Sequence, residues 1–206
     1  MARPRVYGES TRRELIDAAG ALLAERGPAA LSVRAVAEAV GATTSAIYAL
    51  FGSKAELVRG MYVAGFAALD DHLAAVPVTD DPWRDVLELG LAYRASALAE
   101  PHLYRVMFDR PVVEFVPDAD DAALALGTLA HLERATARIE ATLGLPRGLD
   151  LATATRALWA RAHGLATLEL AGGLGDGGEA LWRAVLLADQ HGWRSRGASD
   201  PVSPRG

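Results

Sequence analysis

Apolar positions recur at three- and four-residue intervals along most of this chain. Over 11–26, Leu15, Ala18, Ala19 and Leu22 share one face with Ile16 and Leu23 beside them, which predicts a helix. Thr11 and Glu14 have capping-box spacing, and Gly27-Pro28 ends the run. Ser32 is placed to cap a second, short helix over 33–40 that Gly41 stops. Thr43 is placed to cap a third over 44–51 that Gly52 stops. Ser53 and Glu56 then open a fourth, long helix to about 75, with Leu57, Met61, Ala64 and Ala68 on one face.

The remainder follows the same rule. Asp81-Pro82 starts a fifth helix to about 100, and Pro101 starts a short sixth over 102–109. Residues 110–117 read as an irregular connection. A seventh helix runs over 118–143 to Gly144 and Pro146. An eighth spans 150–171, and a ninth spans 176–194 with Asp176 and Glu179 as its capping pair. The Gly, Pro, Ser and Arg-rich tail from Ser195 is expected to be disordered. The fold class is therefore all-α, about nine helices, with three short ones gathered at the N-terminal end.

Composition agrees. Apolar residues make up 51% of the 206 and aromatics 6%, and runs of Val, Ile and Thr are missing. No cysteine is present, which removes disulfides, thiolate metal sites and cysteine nucleophiles. No apolar h-region follows Arg3 and Arg5, and every later apolar stretch is interrupted before it could span a bilayer, so a cytoplasmic protein without a membrane partner is expected. The net charge of -5 argues against a general nucleic-acid coat, but it is unevenly spread. Residues 1–60 hold eight Arg or Lys against six Asp or Glu, and the rest hold thirteen against twenty.

Two short helices separated by about four residues meet the geometric requirement of a helix-turn-helix. Ala37 lets the helices approach, Gly41 takes the turn, and Ile47 packs the second helix on the first. The same spacing also suits a helical hairpin that never meets DNA.

Residues 31–57, LSVRAVAEAVGATTSAIYALFGSKAEL, resemble the DNA-binding head of the TetR family, most specifically in Ile47-Tyr48 followed by Phe51-Gly52-Ser53-Lys54. Residues 101–108, PHLYRVMF, with Trp159 and His163-Gly164, resemble the TetR subgroup whose C-terminal domain is called WHG. The resemblance implies a sequence-specific, DNA-binding transcriptional regulator, a repressor released from a palindromic double-stranded operator by a small-molecule effector and acting as a homodimer. It implies a head over 1–55 and an effector-binding, dimerising body over 56–206.

On that basis Ser32, Thr43, Tyr48 and Lys54 are expected to hold phosphates, and Thr44, Ser45 and Ala46 to read bases, with Arg34 reaching a guanine edge. Lys54 is the only lysine in the chain. Many relatives have a hydrogen-bonding residue where this chain has Ala49 and Leu50, so affinity is expected to lean on Arg3, Arg5 and Arg12.

For the body, Leu151, Leu158 and Leu165 with Leu181, Val185 and Ala188 are the expected dimer faces. Tyr93, Tyr104, Met107, Phe108, Trp159 and His163 are the candidate pocket for an apolar or aromatic effector.

Catalytic readings find less. Residues 173–178, GLGDGG, match G-x-G-x-x-G, but they follow a helix instead of a strand and read as a helix-breaking loop. His131 and Glu133, two apart on a helix, diverge, so neither a metal nor a cofactor is expected. The alternative of another class is an all-helical small-molecule binder or dimeric scaffold without DNA affinity.

Overall fold

A computed structural model describes residues 8–197. All regular structure there is helical: α1 (Glu9–Arg26), α2 (Val33–Ala39), α3 (Thr44–Phe51), α4 (Lys54–Ala74), α5 (Pro82–Ala99), α6 (Pro101–Phe108), α7 (Ala119–Leu143), α8 (Leu151–Leu170) and α9 (Gly178–Gly197). Short 3-10 turns at Pro28–Ala30 and Gly175–Gly177 precede α2 and α9. Among the described residues, no helix is long and apolar enough to cross a membrane. Most of the expected tail, and Arg3 and Arg5, lie outside the described residues.

Two helix starts differ from expectation. The first begins two residues before Thr11, with Gly8 at its cap and no side-chain hydrogen bond there, so Thr11 and Glu14 are interior residues rather than a capping box. The ninth begins at Gly178, because Asp176 is taken up in the 3-10 turn. The caps at Ser32 and Thr43 do form, and Asp150 caps α8 in the same way: each side chain accepts a backbone N–H three residues on.

The chain forms two compact units. Among the described residues, one consists of those up to Ala68 with Glu100–Ala125, and the other of Leu69–Ala99 with those from Leu126 on. In the first, α1 packs on α2 and α6, and α2 on α3. Leu15, Ala19, Leu31, Val36, Ile47, Leu57 and Met61 make its interior, each at most 2% exposed. A glycine permits one close approach: a Cβ on Gly20 of α1 would lie 1.9 Å from Cδ2 of His102 on α6. The rings of Tyr62, Phe66, Phe108 and Tyr104 continue this core, with successive centroids 4.8 to 5.7 Å apart.

In the second unit α5 lies against α8 and α9. Trp182 of α9, fully buried, donates its indole N–H to Glu169 of α8 at 2.7 Å. The same carboxylate accepts a two-pronged bond from Arg94 of α5, at 2.9 and 2.6 Å. Three helices are thus joined by one polar network around a half-buried acceptor that is satisfied. The Arg94 bonds outweigh burial and hold the Glu169 carboxyl below its ordinary range. A second network fixes the connection before α5. Asp85, 4% exposed, accepts from the Thr79 hydroxyl at 2.6 Å, from the Thr79 N–H at 3.1 Å, and from Arg138 of α7.

Candidate nucleic-acid interface and ligand cavity

The connection between α2 and α3 is short because Gly41 adopts φ 65° and the Ala42 N–H returns to the Ala37 carbonyl at 2.9 Å. Thr43, extended at φ -100°, starts α3 by accepting the Ala46 N–H at 3.2 Å. Ser32 does the same for α2 with the Ala35 N–H at 3.2 Å. Both hydroxyl oxygens therefore cap their helices in the chain as it stands.

Ile47 and Phe51 lock α3 into the interior, while Thr44, Ser45 and Tyr48 face outward, Tyr48 at 55% exposure. Ala46 corrects the sequence reading: it is 0% exposed, so its methyl packs the head and cannot meet a base edge. Exposed Ala49 and half-buried Leu50 extend the outer surface of α3 without polar groups.

Three cations of this region have carboxylate, carbonyl or ring partners. Arg34 stands outward at 84% side-chain exposure and donates to Glu38, one turn along α2, at 2.9 Å. Arg12 lies over the Phe51 ring at 4.5 Å and donates to the Leu50 carbonyl at 3.4 Å, bracing the end of α3 from α1. Lys54, in the first turn of α4, donates to Glu114 at 3.1 Å. Ser53 caps that helix through the Glu56 N–H at 3.1 Å.

In the second unit a partly open cleft lies among α4, α5, α7, α8 and α9, with about 500 Å³ of space that includes open solvent at its mouth. Leu73, Leu89, Leu132, Leu158 and Leu186 supply much of its wall. Tyr93 and Trp159 are among its lining residues. His163 stands behind Tyr93, its Nδ1 3.1 Å from the phenolic oxygen, and its ring lies 5.5 Å from that of Trp159. Among the described residues, no Asp, Glu, Lys or Arg lines the cleft.

Tyr104, Met107 and Phe108 are the correction here. They belong to the first unit, where Tyr104 and Met107 are 6% exposed and Phe108 packs against Phe66, and the cleft does not include them. Sequence reasoning missed Thr128 and the leucines of α7, because aliphatic residues at helical spacing carry no mark that separates a cavity wall from a core.

The residues expected on the dimer faces differ in exposure within this chain. Leu158 and Leu165 are buried within their own chain, and Leu151, Leu181 and Val185 are half-buried, while Ala188 is exposed as expected. The outward apolar stripes run instead through Ala157, Ala160 and Leu168 on α8 and Ala184, Leu187 and Ala188 on α9.

The glycine run at 173–178 joins α8 to α9 with positive φ at Gly175 and Gly178, a helix-to-helix turn with no strand before it. Asp17, Glu100 and His102 bring potential metal-ligand atoms within 4.8 Å of one another, but Arg13 already donates to both carboxylates. His131 donates from Nε2 to Asp70 at 2.8 Å and accepts from Arg134 at Nδ1 at 2.9 Å, since a guanidinium can only donate.

Comparison with known proteins agrees with this architecture. Residues 15–61 match the family described as bacterial regulatory proteins, tetR family, and residues 86–188 match the tetracyclin repressor-like C-terminal domain. A curated relative, the HTH-type transcriptional regulator Mb1846 of Mycobacterium bovis, is 30% identical over 118 residues, or 56% of this chain and 47% of the relative. The match thus spans about half the length of that relative. The crystal structure of SCO4313 superposes with a TM-score of 0.71 at 28% identity, covering 93% of this chain and all of that one. The TetR family transcriptional regulator PfmR of Thermus thermophilus shares the fold, with a TM-score of 0.69 at 22% identity over 84% of this chain and 94% of that one. With one family description matched to the helix-turn-helix and another to half of the chain behind it, this chain belongs to the TetR family of bacterial regulatory proteins.

Proposed function

We propose that the protein is a cytoplasmic transcriptional repressor that binds a palindromic operator as a homodimer and is released by a neutral, apolar or aromatic effector. The observation that carries the DNA-binding reading is α3 itself. Its inner side is locked by Ala46, Ile47 and Phe51, its outer side offers Thr44, Ser45 and Tyr48, and two capped helix starts at Ser32 and Thr43 stand beside it. A rigid helix with small polar residues at its N-terminal end fits a major groove, and helix starts favour phosphate oxygens. Thr44, Ser45 and Arg34 are assigned to base edges, and Ser32, Thr43, Tyr48 and Lys54 to the backbone.

Dimerisation is assigned to the exposed stripes of α8 and α9. Small side chains there let two such pairs approach into a four-helix bundle across a two-fold axis. The effector is assigned to the cleft bounded by Tyr93, Trp159 and Thr128. With no ionised side chain among the described residues of its wall, the cleft suits a neutral molecule better than an ion, which would lose its hydration uncompensated. Release is then a population shift, and operator must weaken effector binding by the same factor that effector weakens operator binding.

Selection of bound sequences from a random duplex pool tests the reading. Enrichment of an inverted repeat with half-site centres roughly 34 to 36 Å apart, or a multiple of that, is expected. Recovery of no enriched sequence would favour a dimeric small-molecule binder that has lost DNA affinity.

A further inference from the structure

The irregular run between α6 and α7 is pinned at two points. Val112 and Phe115 are buried, the Phe115 N–H donates to the Val112 carbonyl at 3.2 Å, and the Phe115 ring centroid lies 5.3 Å from that of Tyr62 on α4. Between these anchors Val113 and Glu114 project outward, and Glu114 Oε1 meets Lys54 Nζ at 3.1 Å.

The same pattern repeats one turn further along α4. Arg59 donates to Asp121 at 2.9 Å and lies 3.1 Å from Asp118. Those two carboxylates are held in place by accepting each other's backbone N–H across the start of α7, at 2.9 and 3.1 Å. Both Lys and Arg side chains of α4 are therefore matched by acids presented from one fixed segment.

These pairs differ in what they do. Asp121 is 3% exposed and Arg59 braces it, so that pair belongs to the packing. Glu114 is 59% exposed and Lys54 30%, and an ion pair that wet contributes little to folding. Its consequence lies in the availability of the ammonium. We propose that Glu114 is a built-in competitor for the DNA phosphate at Lys54, so that docking exchanges a carboxylate on this ammonium for a phosphate oxygen.

The proposal rests on the phosphate role given to Lys54 above. The contribution of Lys54 to affinity is then the difference between two anions rather than the whole of one contact. On docking, the exposed Glu114 carboxylate gives up the ammonium and returns to water. The position of Glu114 is fixed by Val112 and Phe115, so a shift of residues 110–117 would alter DNA affinity without touching α3.

The test uses the full chain, a fluorescently labelled random-sequence duplex, and anisotropy at low and moderate salt. Random sequence suffices because a phosphate contact acts on every duplex. Glu114→Gln and Glu114→Ala are compared in the wild-type and Lys54→Ala backgrounds, with a thermal melt of each variant.

Removing Glu114 is expected to tighten binding at low salt by up to about fivefold, the range an exposed ion pair permits, with an unchanged melt. Lys54→Ala is expected to weaken binding, and in that background the Glu114 variants should gain nothing. Unchanged affinity on removing Glu114, while Lys54→Ala does weaken binding, would overturn the competitor and leave the DNA reading intact. An equal gain in both backgrounds would also overturn it, showing Glu114 to be a general repelling charge. Indifference to Lys54→Ala alone would instead remove the phosphate role on which the proposal rests.

Discussion

Tyr93 on α5 and His163 on α8 meet at 3.1 Å beside a cleft whose wall is otherwise mostly aliphatic. Tyr93 brings a hydroxyl to the edge of the cleft, with His163 behind it. An effector would be oriented by one hydrogen bond and held by apolar burial, at roughly 25 cal/mol per Å² removed from water.

Two substitutions separate those contributions. Ala162 lines the cleft and is 6% exposed, so Ala162→Leu should fill part of it and weaken binding of a neutral solvatochromic naphthalene dye about tenfold. Tyr93→Phe keeps the ring and removes the hydroxyl. It should leave dye binding nearly unchanged and lower stability by about 1 kcal/mol, as for a lost neutral hydrogen bond. Dye affinity that ignores Ala162→Leu would place the binding site elsewhere.

Asp85 should govern acid stability. Burial opposes its charge, but hydrogen bonds from Thr79 and Arg138 prevail and its carboxyl is held below the ordinary range. A group whose folded pKa is depressed adds stability above its unfolded pKa of about 4, and that stability is lost as pH falls through the folded value. Asp85→Asn should therefore cost about 3 kcal/mol at neutral pH, where Arg138 and Thr79 lose their anionic partner. The gap between wild type and variant in urea melts should narrow below about pH 4. A gap that stays constant into acid would show that charge is not what Asp85 contributes.

How much of this was legible in the sequence depended on whether local chemistry or packing direction decided the matter. Helix ends at Gly41, Gly52 and Gly144 were readable because each adopts a positive φ that most other residues resist. The caps at Ser32 and Thr43 were readable because a hydroxyl next to a helical pattern has one favoured use. Ala46 was misplaced for a different reason: counting along α3 gives the helix but not the side that faces the core, which is set by how the head packs. Leu165 and Leu158 were misplaced likewise, since a leucine row on α8 can serve its own core or a partner. Tyr104, Met107 and Phe108 carry the residue types of a binding pocket, yet Tyr104 and Phe108 join Phe66 and Tyr62 in a run of ring contacts and Met107 is buried beside Gly65, in a core of the same chemistry.

The assembly can be tested by the contrast this correction creates. Leu187 is exposed on α9 and Leu168 on α8, so Leu187→Glu or Leu168→Glu should leave the monomer folded and abolish the dimer in sedimentation. Leu165→Glu places a charge at a position 8% exposed within its own chain and should unfold the second unit instead. An intact dimer in both exposed variants would move the interface to another face.

The last expectation separates reading from holding on the DNA side, using Arg34 and Tyr48. Arg34 is bound to Glu38, a neighbour on its own helix, by a bond between two exposed groups. Such a pair is worth little, so the guanidinium can leave it for a groove at small cost. If it donates to a guanine edge, Arg34→Ala should lose on the order of 1 to 3 kcal/mol on the selected operator, and much less on an operator changed at that base pair. Tyr48 is different, because its exposed hydroxyl is assigned to a phosphate that every sequence supplies. Tyr48→Phe should weaken both operators by the same factor and leave their ratio unchanged. Binding of the wild type and the two variants on the two operators gives six numbers and one ratio test for each variant. Equal losses from Arg34→Ala on both operators would make Arg34 a backbone contact and leave specificity to Thr44 and Ser45. A changed ratio from Tyr48→Phe would bring the α3 surface closer to the base edges than the proposed docking allows.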